Sequence, residues 1–403
     1  MRILHITPAL QHPTVRGPHR HFHFLRELSP RHAITGLTLI RGAVDAGALR
    51  DVGAHADGMF AYDVGHSAPL PGLDWADRLP GIGQRLARHL RVRGGLRQMR
   101  ATYRRLVASG RYDVVLFHGK SVFPVIAGCR DVPVVVDFCD ATSMRIRQRI
   151  AGAGPARRWL YAVRYAQVRR LERRLVALTP HRAFISPRDR AAVLGDADAS
   201  PIVPNGVDLA YWRRSAPAWR GRPRLALTGV MDYQPNADAA VALVDRVLPR
   251  VRVHVPDAEV VIIGRDPAPA LVARAREVPG VTVTGFVDDM RPLLEQSTVL
   301  VAPLRYASGT QNKLLEAMAM GLPVITTAVA AEGLRVDSAA PPVLVADDDA
   351  GTADAVVRVI RDAMLRDTLE SAGPRFVADR FDWSRSAARL EAMCQTAVAE
   401  HAA

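Results

Sequence analysis

"VLVAPLRYASGTQNKLLEAMAMGLPVITT", residues 299 to 327, begins with four apolar residues, passes through a glycine loop into an amphipathic run, and ends in a second short apolar run. The spacing predicts strand, loop, helix, stop and strand. Ser308 or Thr310 suits the helix N-cap, Gly321 falls just past the helix end, and Pro323 prevents the helix from continuing. Two strands joined through a helix run parallel, and a parallel sheet needs cover on both faces.

The same rhythm extends in both directions. Strands are expected at 2–7, 34–40, 113–118, 132–138 and 183–186, and again at 224–230, 259–264, 281–286, 299–304, 323–327 and 342–346. Between the two sets, "PIVPNGVDLAYWRRSAPAWRGRP" (201–223) breaks the alternation. A chain of 403 residues exceeds one ordinary core. The expected class is therefore α/β, with two doubly wound Rossmann-like domains facing across a cleft: residues 1–200, a linker 201–223, residues 224–375, and a C-terminal helix 376–403 crossing back to the first domain. Ligands of such sheets bind at the carboxyl ends of the strands. Each half opens with a strand leading to a glycine, Gly17 and Gly229.

No apolar run approaches the ~18 residues that span a bilayer, and "MRILHITPAL" has no signal-peptide pattern, so a cytoplasmic location is expected. Cys129, Cys139 and Cys394 show neither zinc nor redox spacing and read as buried thiols. The net charge of +14 is concentrated: residues 84–105 hold eight arginines and no acid, and 145–174 hold ten against Glu172 alone. Solvated helix faces account for such runs, and so does an anionic membrane surface; nucleic acid is the weaker partner.

Lysine occurs only at Lys120 and Lys313. A glycine loop entering a helix offers free N–H groups and the positive dipole end, suited to phosphate. Lys313 and Glu316 are three apart and share a helix face, so a diphosphate near the helix start and a ribose diol one turn deeper would fit them. An exposed Lys313–Glu316 ion pair is the plain alternative.

Several separated segments together resemble the family-4 glycosyltransferases of GT-B architecture, in particular bacterial exopolysaccharide-type sugar transferases. They are "PNGVD" (204–208), "LTGVMDYQPNADA" (227–239), "VIIGRDP" (261–267), residues 283–325 and "RFDW" (380–383). The resemblance implies a nucleotide-diphosphate sugar bound by residues 224–375, an acceptor bound by the first domain, and a ribose-binding glutamate at Glu316. It places Ser308 where many members have a donor-sugar glutamate, and Val230 and Asn236 where many carry an arginine and a lysine on the diphosphate. Gly229, Arg265, Arg305, Gly309, Thr310, Gln311 and Asn312, with Lys313, are then the candidate diphosphate-binding groups. Gly17 corresponds to a glycine approaching the diphosphate from the opposite domain, and Phe286 and Val287 lie where the base is read.

For the chemistry, the resemblance implies a retaining transfer by front-side attack, the leaving phosphate itself helping to take the acceptor proton. Breaking the anomeric bond leaves negative charge on that phosphate, and stabilising it is the main catalytic need. Lys313 and main-chain amides could supply this, so no metal or other cofactor is expected. "VDDM" (287–290) reads as N-cap chemistry and "ADDDA" (346–350) as a polar loop, neither as metal ligands. His118, in "VVLFHGKS" (114–121), corresponds to a histidine that faces the donor sugar. Arg20, His21 and His19 in the first loop, and Asp140 after "VVVDF", are acceptor candidates beside the plainer solvated-loop reading. Trp383 is expected to be a packing residue. UDP is the favoured nucleotide, with an unknown lipid-linked or glycan acceptor in polysaccharide synthesis. The alternatives are a sugar-nucleotide epimerase or hydrolase of the same architecture, and a non-enzymatic anion-binding protein with a decayed donor site.

Overall fold

The structure, a computed structural model, describes residues 1–13, 19–42, 44–65, 82–128, 131–151, 154–307 and 309–403. Gly17, Ser308 and Cys129 lie outside the described residues. The chain forms two units. Unit 1 comprises Met1–Ile185, Asp189–Val203 and Ser386–Ala403; unit 2 comprises Ser186–Arg188 and Pro204–Arg385.

The strands of unit 1 are β1 (Arg2–Thr7), β2 (Ala33–Ile40), β3 (Gly58–Asp63), β4 (Val114–His118), β5 (Val134–Asp137) and β6 (Arg182–Ala183). They pair parallel in the order β3-β2-β1-β4-β5-β6. "VVLFH" and "VVVD" are buried along their whole length, as strands covered on both faces must be. The edge strand β3, "GMFAYD", is only partly buried and was not among the strands expected from sequence.

Unit 2 repeats the winding with β7 (Arg224–Thr228), β8 (Glu259–Ile263), β9 (Val281–Val283), β10 (Val299–Ala302), β11 (Val324–Thr326) and β12 (Leu344–Val345). Its order is β12-β11-β10-β7-β8-β9, again all parallel. In both sheets the order reverses between the first and fourth strands, β1 and β4 or β7 and β10. That crevice is where doubly wound folds take ligands.

The stretch 299–327 forms β10, a helix Asn312–Ala319 and β11. The helix ends as the sequence requires: Gly321 has φ +64°, its N–H donates to Met318 O, and that of Leu322 donates to Ala317 O, both at 2.9 Å. These two bonds satisfy carbonyls that the helix leaves open. Its start corrects the expectation. The N-cap is Gln311, which makes no side-chain cap, because Thr310 sits one residue too early and its buried hydroxyl finds no partner. Asp289 likewise does not occupy an N-cap position, since Met290 does; Asp289 instead accepts from the Arg291 N–H at 2.9 Å and from its guanidinium.

"PNGVD" and "RFDW" interlock within unit 2. Val207 N–H donates to Phe381 O at 2.6 Å, and a side chain at Gly206 would strike the Trp383 ring at 2.6 Å. Trp383 is 5% exposed and is a packing residue. Beyond it the last helix, Trp383–Ala402, continues into unit 1, where Glu391 accepts from Arg31 at 2.7 Å and pairs with His32 at 2.8 Å. Among the described residues no helix is long and apolar enough to cross a membrane.

Candidate functional site

In unit 2 the carboxyl ends of β7 and β8 are closed by glycines pressed together. A Cβ at Gly264 would lie 1.7 Å from Gly229 O, which no side chain could survive. A Cβ at Gly229 would lie 2.5 Å from Asn236 Nδ2 and 3.2 Å from Lys313 Nζ. Three residues from different elements therefore meet at one point beside the switch between β7 and β10.

Lys313 Nζ donates to Asn236 Oδ1, and Asn236 Nδ2 donates to Val230 O at 2.9 Å. The second bond fixes which end of the amide faces the lysine. Asn236 lies in the helix Gln234–Ala242 and is 6% exposed. Desolvation pulls the Lys313 ammonium down to about 8, the charge of Glu316 opposing it. Desolvation also pushes the Glu316 carboxyl up to about 7 against the pull of Lys313. The exposed ion pair between these two does not form: both are partly buried, Lys313 turns to Asn236, and among the described residues the Glu316 carboxyl has no hydrogen bond or ion pair, its backbone carbonyl alone accepting from Met320 N–H at 3.2 Å. A desolvated cation beside a desolvated carboxyl with no direct side-chain partner makes this pair a candidate binding site.

Around this point, Asn312 and Lys313 occupy the first helical turn, where N–H groups have no intrahelical acceptor. Gly309 has φ +62°. Asn312 Oδ1 accepts from Asn205 Nδ2 at 3.1 Å, tying "PNGVD" to the helix start. The sequence reading missed Asn205 as a site neighbour and took Asn236 only as a missing cation; nothing in local spacing links positions 107 or 77 residues apart.

The remaining candidates scatter. Arg265 is partly buried, its carbonyl accepting from Met231 N–H at 2.9 Å, and its guanidinium lies 3.9 Å from Asp266. Arg305 is exposed and lines a cavity of about 400 Å³ with Thr327, Asp347, Asp348 and Asp349. Phe286 is 70% exposed and so is not a core residue, whereas Val287 packs against the core. The three aspartates have structural duties. Asp347 accepts from Ala328 N–H, Asp348 caps the following helix, and Asp349 pairs with Arg246 at 2.6 Å.

Unit 1 holds a second constellation at the ends of β4 and β5. His118 Nδ1 and Asp137 Oδ2 are 2.8 Å apart. Arg20 clamps the same carboxylate at 2.7 and 3.0 Å and donates to Val203 O at 2.7 Å. Burial favours the neutral acid, but the Arg20 guanidinium and the His118 ring hold the Asp137 carboxyl well below the usual range. Breaking such a buried pair costs ~3–5 kcal/mol. Burial is the chief cause that keeps His118, His5 and His21 below their ordinary value of 6.5, which favours the neutral rings at pH 7.

These positions correct the first-loop expectation. Arg20 is 4% exposed and His21 6%; neither is a solvated loop residue, because Asp137 draws the guanidinium inward and His21 packs on His118 with ring centres 4.5 Å apart. His118 is fully buried, with Nδ1 engaged and Nε2 lacking any partner, so its ring is enclosed rather than open to a bound sugar. His19 Nδ1 is also buried without a partner. Asp140 is held by Lys120 at 3.4 Å, Arg145 at 3.2 Å and the Thr142 hydroxyl at 2.9 Å. Burial raises its carboxyl, but these neighbours outweigh that and lower it, which weakens it as a base.

Residues 222–362 match the family described as glycosyl transferases group 1. The chain is 30% identical over 202 residues to the phosphatidyl-myo-inositol mannosyltransferase of Mycolicibacterium smegmatis, covering 48% of this chain and 51% of that protein. It is 29% identical over 303 residues to the protein of that name from Propionibacterium freudenreichii, covering 70% of each. The chain thus spans about half the length of the mycobacterial relatives it matches. Among solved structures, sucrose-phosphate synthase from Thermosynechococcus elongatus superposes with a TM-score of 0.69 at 16% identity, covering 99% of both chains. Anabaena HepE in complex with UDP and glucose superposes at 0.63 with 12% identity, covering 97% of this chain and 98% of that one.

Proposed function

We propose that this chain, which belongs to the group 1 glycosyltransferases of GT-B architecture, transfers a sugar from a nucleoside-diphosphate donor bound in unit 2. The observation that carries the reading is the convergence of Lys313 on Gly229 and Asn236 beside the β7–β10 switch. The missing side chain of Gly229 lets Asn236 and Lys313 close on the backbone, and the helix N–H groups and Lys313 supply positive potential there. Asn236 stands where relatives carry a second cation, and it aims the one lysine that remains.

In this reading the departing diphosphate develops charge against Lys313 and the first-turn amides, and each such donor is worth ~3–4 kcal/mol of transition-state stabilisation. The reaction retains anomeric configuration, needs no metal, and uses the leaving phosphate to accept the acceptor proton. Glu316, one turn deeper, takes the ribose diol. His118 is assigned to positioning rather than to sugar contact, since its ring is enclosed. UDP is the favoured nucleotide, supported by the UDP bound to the Anabaena protein. A lipid-linked acceptor is favoured by relatives named for phosphatidyl-myo-inositol and by the arginine-rich surface of unit 1. The enzyme then works at the inner face of a membrane.

A thermal-shift screen against UDP, GDP, their sugar forms and the bare nucleosides tests this. A diphosphate is expected to stabilise the protein, and Lys313→Ala to weaken diphosphates by about ten- to a hundredfold with little change for the nucleosides. Equal loss for both, or no stabilisation by any nucleotide, would refute the assignment and favour the anion-binding alternative. Donor turnover without an acceptor would favour the epimerase or hydrolase.

A further inference from the structure

Three ligating side chains meet in unit 1 outside the proposed donor site. One ring nitrogen each from His21 and His118, together with Cys139 Sγ, lie within 4.8 Å of one another, and Cys139 Sγ stands 3.7 Å from His21 Nε2. That last separation is close to the distance between two ligands of one tetrahedral ion, given metal–sulfur and metal–nitrogen bonds of ~2.3 and ~2.0 Å.

Three further observations point the same way. His118 Nδ1 is bonded to Asp137, the carboxylate–histidine arrangement that fixes the tautomer and orients a metal-binding imidazole. Its Nε2 is buried without a partner, and such orphaned polar atoms are rare because each costs ~1–3 kcal/mol. Cys139 has φ +58° in the turn after β5 and is partly exposed, giving an ion a way in. The nearby Arg20 charge does not forbid a cation, since Asp137 already neutralises it through two hydrogen bonds.

We propose that His21, His118 and Cys139 form a binding site for a borderline-soft divalent ion of the zinc class, with solvent as fourth ligand. On binding, the Cys139 thiol loses its proton to solvent and the sulfur–metal bond replaces a metal–water bond. The two neutral imidazoles each exchange for one further water, and no redox change occurs. Imidazole and thiolate together select zinc or cobalt over magnesium and calcium. The ion is not part of the transfer chemistry proposed above; it would lock the start of the helix Arg20–Leu28 to the ends of β4 and β5.

Titration of the full chain with Co²⁺ tests the site and depends on no glycosyl transfer, so its outcome is separable from that of the donor assignment. One equivalent is expected to give a sulfur-to-cobalt absorption band that Zn²⁺ abolishes by competition. C139S should lose the band, His21→Gln should weaken binding by at least about tenfold, and C129S and C394S should keep both band and affinity. Circular dichroism of each variant separates lost ligation from lost fold. Should C139S be unfolded, cobalt protection of Cys139 from alkylation in the wild type gives the same answer. Absence of the band at stoichiometric cobalt, or its persistence in folded C139S, would overturn the proposal.

Discussion

Lys313 Nζ and Asn236 Oδ1 are joined by a hydrogen bond between residues 77 positions apart, and the Asn236 amide is itself anchored to Val230 O. The lysine is thus aimed by a neutral group that is itself held in place. Asn236→Ala leaves the charge of Lys313 intact but frees its direction, so UDP affinity should fall by about tenfold, the worth of one charge-assisted hydrogen bond. Isothermal calorimetry reads this. Affinity equal to wild type would show that Asn236 does not position the lysine.

The depressed Lys313 gives a signed pH effect. Free, the ammonium titrates at about 8; a bound diphosphate favours the charged form and raises it. At pH 9 the free site is mostly neutral and the complex mostly charged, so binding should take up close to one proton, whereas at pH 7 Lys313 contributes almost none. Calorimetry in buffers of different ionisation enthalpy counts the protons, and Lys313→Met should abolish the uptake at pH 9. Uptake that survives in Lys313→Met would place the diphosphate elsewhere.

Much of this was legible in the sequence. Uninterrupted runs such as "VVLFH" and "EVVII" identify doubly covered parallel strands because both faces are buried, and Gly321 with Pro323 punctuates the helix end. What escaped were features decided by tertiary neighbours. Strand β3 begins with glycine and lies at the sheet edge, so "GMFAYD" carries little periodic signal. Arg20 resembles a loop residue until Asp137, 117 positions away, draws it inward. The convergence of Gly229, Asn236 and Lys313 is likewise a product of the sheet order, which no local spacing encodes.

The neutral histidines of unit 1 predict acid sensitivity. His5, His21 and His118 are held below 6.5 in the fold, chiefly by desolvation, and regain that value on unfolding. Below pH 6.5 the unfolded chain therefore binds more protons than the folded one, and stability falls as pH drops. Each proton bound by the unfolded chain alone adds about 1.4 kcal/mol per pH unit to the slope. Urea unfolding across this range measures the slope, which His5→Gln should reduce. An unchanged slope in that variant would show that His5 titrates normally in the fold.

The surface of the helix Pro155–Leu178 predicts membrane attachment. Trp159 is 71% exposed, Leu160 59% and Val163 38%, and they stand among the exposed arginines Arg157, Arg158, Arg164 and Arg170. Apolar residues interleaved with cations suit the boundary between headgroups and acyl chains, each nearby cation adding ~1 kcal/mol on an anionic leaflet. The full chain should therefore float with phosphatidylglycerol vesicles and not with phosphatidylcholine ones, less so as salt shortens the screening length. W159A combined with L160A removes apolar burial but no charge, and should weaken flotation by at least about tenfold. Equal binding to both vesicle types would exclude the arginines as the cause, and full binding by the double variant would exclude insertion of this helix.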